Sequence, residues 1–582
     1  MTTVRIGIYA LAVLAPSAAC TRSPIHTTSS TGEASGSGGQ GTGGVGAAVG
    51  SGGTKDAGTL PGSGGRGDGG TAPPPTGRGG ATGGNGLGGG QTGGMPGTGG
   101  STPPGTGGST VPGTGGGTPP LTGGSTGANT GGIKTGGSTG TVGGTTGTGG
   151  ATGGDGGAGT GGVTVNLDQT RQAMAGFGIT STWAPALSDS EADALFDPTN
   201  GIGLSILRVG MGPDGNPMSS NIYSDIKKAK ARGVATFIAS VYSAPTSCKD
   251  GSGHLLSTCY DSWASTMAAF PDKVRQNAGA DLYAMSEQNE PDYAPSGDSN
   301  TMLYTAEEMV AFIKVLGPKL RDLSPQVLVI APEATEWGRL WTNQSASGAS
   351  DPLDGRYDYG HALAKDLDAW VQVDIVGTQL YDTQVAAPWP SDVPRWPSDV
   401  PQPKTVWMTE VCGLKGWPEG GPSSDINNGI AVAGWIHDAI ANGGASAWLW
   451  FWYKAGSTDD NEGLLLKSGT DTKRHYTLGN YSKFIRPGYT RVDIGGSMPA
   501  DVLLSAYKAG GTDSTVVIVA INKGSATATV PISIPGGTAP VSLTPWVTSA
   551  SDNLQSGTAV TVSGGSFTAT LASMTVTTFI GK

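Results

Sequence analysis

Two carboxylates frame the chemistry this chain can do. Glu290 closes the run Leu282-Tyr283-Ala284-Met285-Ser286-Glu287-Gln288-Asn289-Glu290, and Pro291 follows it. Glu410 closes a second run, Thr405-Val406-Trp407-Met408-Thr409-Glu410, 120 positions later. Proline disfavours helix for the residue before it and offers no ladder donor, so the first strand is expected to stop at Glu290. Both acids then sit at the C-terminal lip of a strand, where an α/β barrel carries its chemistry. Two lip carboxylates on separate strands suit cleavage of a glycosidic bond, one as acid and one as nucleophile or base. Taken singly, each reads equally well as a solvated strand end.

Other residues gather at predicted strand ends. Arg208, in Ser205-Ile206-Leu207-Arg208-Val209, is expected to bond a carboxylate and hold it ionised, with a structural ion pair as the alternative. Asn289 suits a sugar hydroxyl beside the reacting carbon. Glu287 lies three positions before Glu290, so on a strand it faces the other way and is read as structural. Glu333 and Glu336 are rival carboxylates, read as loop or subsite residues. Trp183, Tyr242, Tyr293, Trp337, Tyr381, Trp389, Trp452 and Tyr453 offer flat faces for stacking on pyranose rings. Aromatics are also wall material, so their concentration on predicted loops carries the reading.

Eight apolar runs are expected to position these residues: Ala175–Thr180, Leu204–Met211, Ala235–Tyr242, Leu282–Glu290, Gln326–Ala334, Asp374–Tyr381, Thr405–Val411 and Ala445–Tyr453. Near-continuous apolar runs are the mark of parallel strands covered on both faces. Amphipathic stretches such as Ser188–Phe196, Asn221–Arg232, Thr305–Leu320 and Ser424–Asn442 separate them, giving an α/β chain with a (β/α)8 barrel over 175–487. Beyond Pro487 the period changes to two. Val502–Tyr507, Val516–Ile521, Thr527–Ile534, Val541–Val547 and Thr570–Ile580 predict a β-sandwich side domain over 488–582. The strand Val163–Leu167, within 163–174, has no barrel role and is assigned to that sandwich.

The rest of the chain is different in kind. Residues 21–162 are nearly all Gly, Thr, Ser, Pro and Ala, too poor in apolar surface to offset chain entropy, and read as a disordered linker. Residues 1–20 read as an export signal: Arg5, an apolar run from Ile6 to Ala15, then Ser17-Ala18-Ala19 before Cys20. Cys20 resembles a bacterial lipoprotein cleavage site, although Ser17 stands where such sites usually carry Leu. A lipid there makes the linker a tether with a mean reach of about 65 Å; ordinary secretion with a spacer is the alternative. Cys248 and Cys259 flank a small polar loop, which in an exported chain points to a loop-closing disulfide and leaves Cys412 as the odd one out. The five histidines do not cluster and no spacing suits zinc, so neither metal nor cofactor is expected. From Val163 onward 28 basic residues face 41 acidic ones. That balance argues against nucleic acid or anionic membrane as partner, membrane contact being expected only through a lipid on Cys20. A monomer is expected.

Four segments carry a family resemblance: Ser286-Glu287-Gln288-Asn289-Glu290-Pro291-Asp292-Tyr293, Val406-Trp407-Met408-Thr409-Glu410-Val411, Ser482-Lys483-Phe484-Ile485-Arg486-Pro487-Gly488-Tyr489 and Val516-Val517-Ile518-Val519-Ala520-Ile521-Asn522-Lys523. Over about Val163 to Ile580 the chain resembles glycoside hydrolase family 30, and most of all its bacterial endo-xylanases acting on glucuronoxylan. The resemblance implies a (β/α)8 barrel fused to a β-sandwich and retention at the anomeric carbon. It makes Glu290 the acid/base and Glu410 the nucleophile, and it places Asn289, Tyr242, Tyr381 and Trp452 in the subsite before the cleaved bond. The chain departs from the pattern at three places. Cys412 replaces a tyrosine, Gln379 replaces a histidine, and Lys454-Ala455-Gly456 stand where relatives carry paired arginines. A uronate carboxylate needs a bidentate fork that Ala455 and Gly456 cannot supply. The implied activity is therefore β-1,4-xylan hydrolysis that does not depend on a glucuronate branch. The other readings are a related β-glycanase or exo-β-glycosidase, or a non-catalytic carbohydrate-binding surface protein.

Overall fold

Eight parallel strands close on themselves: β2 (Gly176–Thr180), β3 (Ile206–Met211), β4 (Thr236–Val241), β5 (Ala284–Ser286), β6 (Leu328–Ala334), β7 (Ile375–Gln379), β8 (Thr405–Glu410) and β9 (Ala447–Lys454). They pair in chain order, and β9 returns to both β2 and β8. This computed structural model describes residues 162–295, 298–343, 352–381, 400, 404–413, 425–454 and 462–582. The expected signal, the linker up to 161, Cys20 and Trp389 lie outside the described residues, as do Ala455 and Gly456. So does the whole of a second unit, Thr28–Gly154.

Helices cover the barrel where the apolar spacing predicts them. α1 (Asp189–Phe196) and α5 (Ala306–Arg321) each open with a capping box, Ser188 with Glu191 and Thr305 with Glu308. Each box satisfies two backbone donors that the first turn leaves open. α2 (Ile222–Ala231), α3 (Tyr260–Ala268), α4 (Phe270–Ala278), α6 (Tyr359–Lys365), α7 (Leu367–Trp370), α8 (Ile426–His437) and α9 (Lys473–Ser482) complete those among the described residues. A short strand, β10 (Gly463–Leu465), pairs in parallel alongside the end of β9.

Inside the barrel one layer of side chains forms a dry floor: Ile206, Ile238, Ala284, Ile330, Ile375, Trp407, Ala447 and Leu449. Room is tight there. A Cβ on Gly178 would come within 2.8 Å of both Ile206 and Leu449, so this position on β2 takes no side chain. Because strand side chains alternate, the residues two places on from this floor point up toward the lip. Arg208, Ser240 and Ser286 arise in this way from Ile206, Ile238 and Ala284.

The side domain is a second, largely antiparallel sheet. β1 (Val163–Ala173) lies between β11 (Thr490–Gly496) and β14 (Ala528–Ser533), antiparallel to the first and parallel to the second. β12 (Val502–Lys508) and β13 (Val516–Asn522) follow on, with β15 (Ser542–Thr548), β16 (Gln555–Ser556), β17 (Val560–Thr561), β18 (Ser566–Leu571) and β19 (Thr575–Gly581) completing it. The expected single strand Thr570–Ile580 is two, β18 and β19, because the chain turns at Met574, whose φ is 51°. Asn480 on α9 joins the two parts: its side-chain amide donates to the Trp546 carbonyl at 3.0 Å and accepts from Thr548 at 2.7 Å.

Candidate active site

Glu410 reaches the barrel lip through an irregularity in its own strand. Thr378 of β7 pairs with Met408, and the next residue, Gln379, pairs with Glu410, so Thr409 is an extra residue in β8. A bulge of this kind turns the following side chain to the opposite face. Strict alternation from Trp407, on the interior floor, would send Glu410 outward to the helices; the bulge sends it inward. The same device works on β9, where Ile179 pairs with Trp450 but Thr180 pairs with Trp452. Trp452 therefore turns in and donates its indole N–H to the Thr182 carbonyl at 2.7 Å. Tyr453 turns out, its hydroxyl 3.5 Å from Asp225 on α2. β6 carries a third shift between Pro332 and Ala334, and Glu333 sits in it with φ 50°.

Glu290 arrives by a different route. β5 is only Ala284–Ser286, shorter than the expected Leu282–Glu290. Beyond Ser286 the chain leaves the ladder, and the Asn289 amide donates to the Val241 carbonyl at 2.5 Å. Glu290 adopts φ 52°, a left-handed conformation that a side chain other than glycine's seldom takes. Its amide donates to the Glu333 carbonyl at 3.2 Å, so the two left-handed residues are joined directly.

At the centre lies Arg208, fully buried. Its Nη1 donates to Glu410 Oε2 at 2.5 Å. Its Nη2 donates to Asn289 Oδ1 at 2.6 Å and to Ser240 Oγ at 2.8 Å, and its Nε lies 3.3 Å from Glu333 Oε1. The other oxygen of Glu410 accepts from the Tyr381 hydroxyl at 3.0 Å. Gln379 donates to Asn289 Oδ1 at 3.1 Å. A guanidinium fixed by this many acceptors holds both carboxylates that flank it in one orientation.

The electrostatics follow from burial. Removal from water pushes Glu410 above the ordinary carboxylate range, while Arg208 and the Tyr381 bond pull it down and Glu333 pushes it up. Burial also pushes the Tyr242 and Tyr381 hydroxyls upward, and the charges of Glu410 and Glu290 both add to this. The two carboxyls thus act on the same pair of tyrosines. Trp183 closes the side of the pocket with its ring 4.6 Å from that of Tyr242, edge to face, on a backbone at φ 60°. Tyr293 is half-buried just beyond Glu290, its amide donating to the Glu290 carbonyl at 3.1 Å.

Glu287 is wholly buried, and desolvation drives its carboxyl well above the usual range, as suits a neutral acid behind the lip. Cys248 and Cys259 are joined. Cys412, the odd cysteine of the sequence reading, is buried with its Sγ 3.5 Å from the Tyr381 hydroxyl. Two further residues at the lip carried no sequence signal of their own. Ser240 donates to Glu333, and Thr180 accepts from Arg208 at 3.4 Å. Both are small polar residues inside apolar runs, two places on from the floor layer.

Fold and lip together define a glycoside hydrolase built on a (β/α)8 barrel. The family model described as O-glycosyl hydrolase family 30 matches residues 219–465. A glucuronoxylanase of Bacillus subtilis (strain 168), XynC, is 32% identical over 437 residues, covering 72% of this chain and 91% of the relative. A GH30 endoxylanase structure from Clostridium papyrosolvens C71 shares 30% identity with a TM-score of 0.58, covering 72% of this chain and 99% of that one. The subfamily 8 xylanase Xyn30A of Clostridium acetobutylicum shares 29% identity with a TM-score of 0.59 over the same shares. The chain belongs to glycoside hydrolase family 30.

Proposed function

We propose that this enzyme is an exported endo-β-1,4-xylanase that retains anomeric configuration and does not require a glucuronate branch on its substrate. One observation carries the catalytic part: Arg208 holds Glu410 with one nitrogen and Asn289, the neighbour of Glu290, with another. In the first step Glu290, protonated, gives its proton to the leaving oxygen while Glu410 attacks the anomeric carbon. The glycosidic bond breaks and a glycosyl ester forms on Glu410. Glu290, now ionised, takes a proton from water, which displaces Glu410 and restores both groups. Asn289 binds the hydroxyl next to the reacting carbon, Trp452 and Trp183 form walls of the subsite, and Tyr242, Tyr293 and Tyr381 line it. Tyr453, facing Asp225, belongs to the wall behind Trp452.

Xylan as substrate is supported by the relatives, a glucuronoxylanase and endoxylanases. Independence of the uronate is supported by Lys454, whose ammonium lies 2.5 Å from Glu191 Oε1. A cation already neutralised by a carboxylate has little left for a second one. Export is supported by the apolar run Ile6–Ala15 and the small residues before Cys20, where a lipid would tether the enzyme, a monomer, to the cell surface. Chromatography of products from plain and glucuronate-branched xylan tests the reading. It expects oligosaccharides from both, with cuts not registered to the branches; products from branched xylan alone would overturn the specificity.

A further inference from the structure

The turn that carries Glu290 is strained, and something must hold it. Glu290 and Glu333 both lie in the left-handed region, at φ 52° and 50°, joined by a backbone hydrogen bond. Such residues persist only where their surroundings over-determine them. Two positions after Glu290 comes Asp292, and two positions after Glu333 comes Thr335; both are buried. The Asp292 carboxylate accepts from the Thr335 amide at 3.0 and 3.2 Å and from the Thr335 hydroxyl at 2.7 Å. It also accepts from Arg339 Nη1 at 2.6 Å, and the same nitrogen donates to the Asp292 carbonyl at 3.2 Å. Arg339 is seated in turn over the Tyr357 ring, 4.3 Å from its centroid, with its Nε 3.6 Å from Glu336. Asp292, Thr335 and Arg339 thus brace the two turns against each other.

We propose that Asp292 and Arg339 are positioning residues for the acid/base carboxyl, locking the turn after β5 to the turn after β6 so that Glu290 keeps one aim. This rests on the assignment of Glu290 given above. A brace of this kind acts on proton delivery to the leaving group and leaves attack by Glu410 untouched. A purely structural pair would lower activity evenly across substrates.

The test compares kcat/KM for aryl β-xylobiosides with a dinitrophenyl leaving group, which needs no proton, and a phenyl leaving group, which does. Asp292→Asn, Thr335→Val and Glu290→Ala are measured beside the wild type. Asp292→Asn is expected to slow the phenyl substrate by roughly ten- to hundredfold while nearly sparing the dinitrophenyl one, since small misplacements of a reacting group cost this much. Thr335→Val keeps the amide bond and loses only the hydroxyl, so it shifts the same ratio less and folds as the wild type does. Equal losses on both substrates in Asp292→Asn and an unmoved ratio in Thr335→Val, beside a steep dependence in Glu290→Ala, would overturn the brace alone. Equal losses in Glu290→Ala as well would overturn the assignment of Glu290, and the brace with it.

Discussion

Glu410 and Gln379 stand opposite each other on neighbouring strands and face the same interior, because Thr409 is an extra residue in β8. That single bulge brings Glu410 to Arg208 at 2.5 Å and to Tyr381 at 3.0 Å. The nucleophile proposed here therefore owes its place to a local break in strand alternation.

The ionisation of Glu410 should show in the pH profile. It must be charged to attack, so kcat/KM falls as pH drops through its pKa. Burial and Glu333 raise that pKa, and Arg208 and Tyr381 lower it. Tyr381→Phe removes one lowering bond, so the acid limb should move to higher pH. At the optimum, kcat/KM should fall roughly ten- to hundredfold, the worth of a hydrogen bond to a charged group. A limb that stays in place would show that Tyr381 does not govern Glu410.

Removing either carboxylate should abolish turnover without unfolding the chain. Glu290→Gln and Glu410→Ala should each cut xylan hydrolysis by at least about a hundredfold, the lower range for losing general acid–base or nucleophilic help. Glu290→Gln should melt close to the wild type, whereas Glu410→Ala leaves buried Arg208 with Glu333 as its remaining carboxylate and should melt lower while still folding. Near-normal activity in either variant would discard its role.

Lys454 supplies a sharp test of specificity. Its partner Glu191 also caps α1, accepting from the Ser188 amide at 2.8 Å. Lys454→Gln should leave KM for glucuronate-branched xylan within about twofold of the wild type, as expected for a cation engaged elsewhere. A large rise in KM confined to branched xylan would mean that the ammonium does meet the uronate.

Asp225 should impose a pH slope on stability. Burial raises its carboxyl to about 6, against bonds from the Leu187 amide and Asn221. The folded pKa lies above the unfolded value of about 3.9, so the folded state holds the proton longer. Stability is therefore full below about 4 and is lost as pH rises toward 6, by up to about 3 kcal/mol. Asp225→Asn removes this contribution, so urea midpoints should favour the variant increasingly from about pH 4 to about pH 7. A constant difference across that range would show that Asp225 does not titrate there.

Much of this was legible in the sequence, and the exceptions have one cause. Continuous apolar runs located the eight barrel strands, since strands buried on both faces have no polar side to display. The carboxylates, Arg208 and Asn289 were legible because charge at the end of such a run has few other uses. Side-chain direction was not. Period-two reasoning cannot see the extra residues in β8 and β9, so it grouped Tyr453 with Trp452 although the two face opposite ways. Nor can it foresee that β5 stops at Ser286 and that Glu290 turns on a left-handed backbone. β11 escaped because Thr490–Gly496 mixes charge with paired glycines, and its pairing with β1 is visible only in three dimensions. The Asp292–Arg339 pair was hidden for the same reason: nothing at a spacing of 47 residues announces a contact.

The most direct test of the whole account is covalent trapping. A 2-deoxy-2-fluoro-xylobioside with a good leaving group should inactivate the enzyme and add one glycosyl mass, which peptide mapping should place on Glu410. An adduct on another carboxylate, Glu333 above all, or turnover with no trapped ester and first-formed products of inverted configuration, would contradict it.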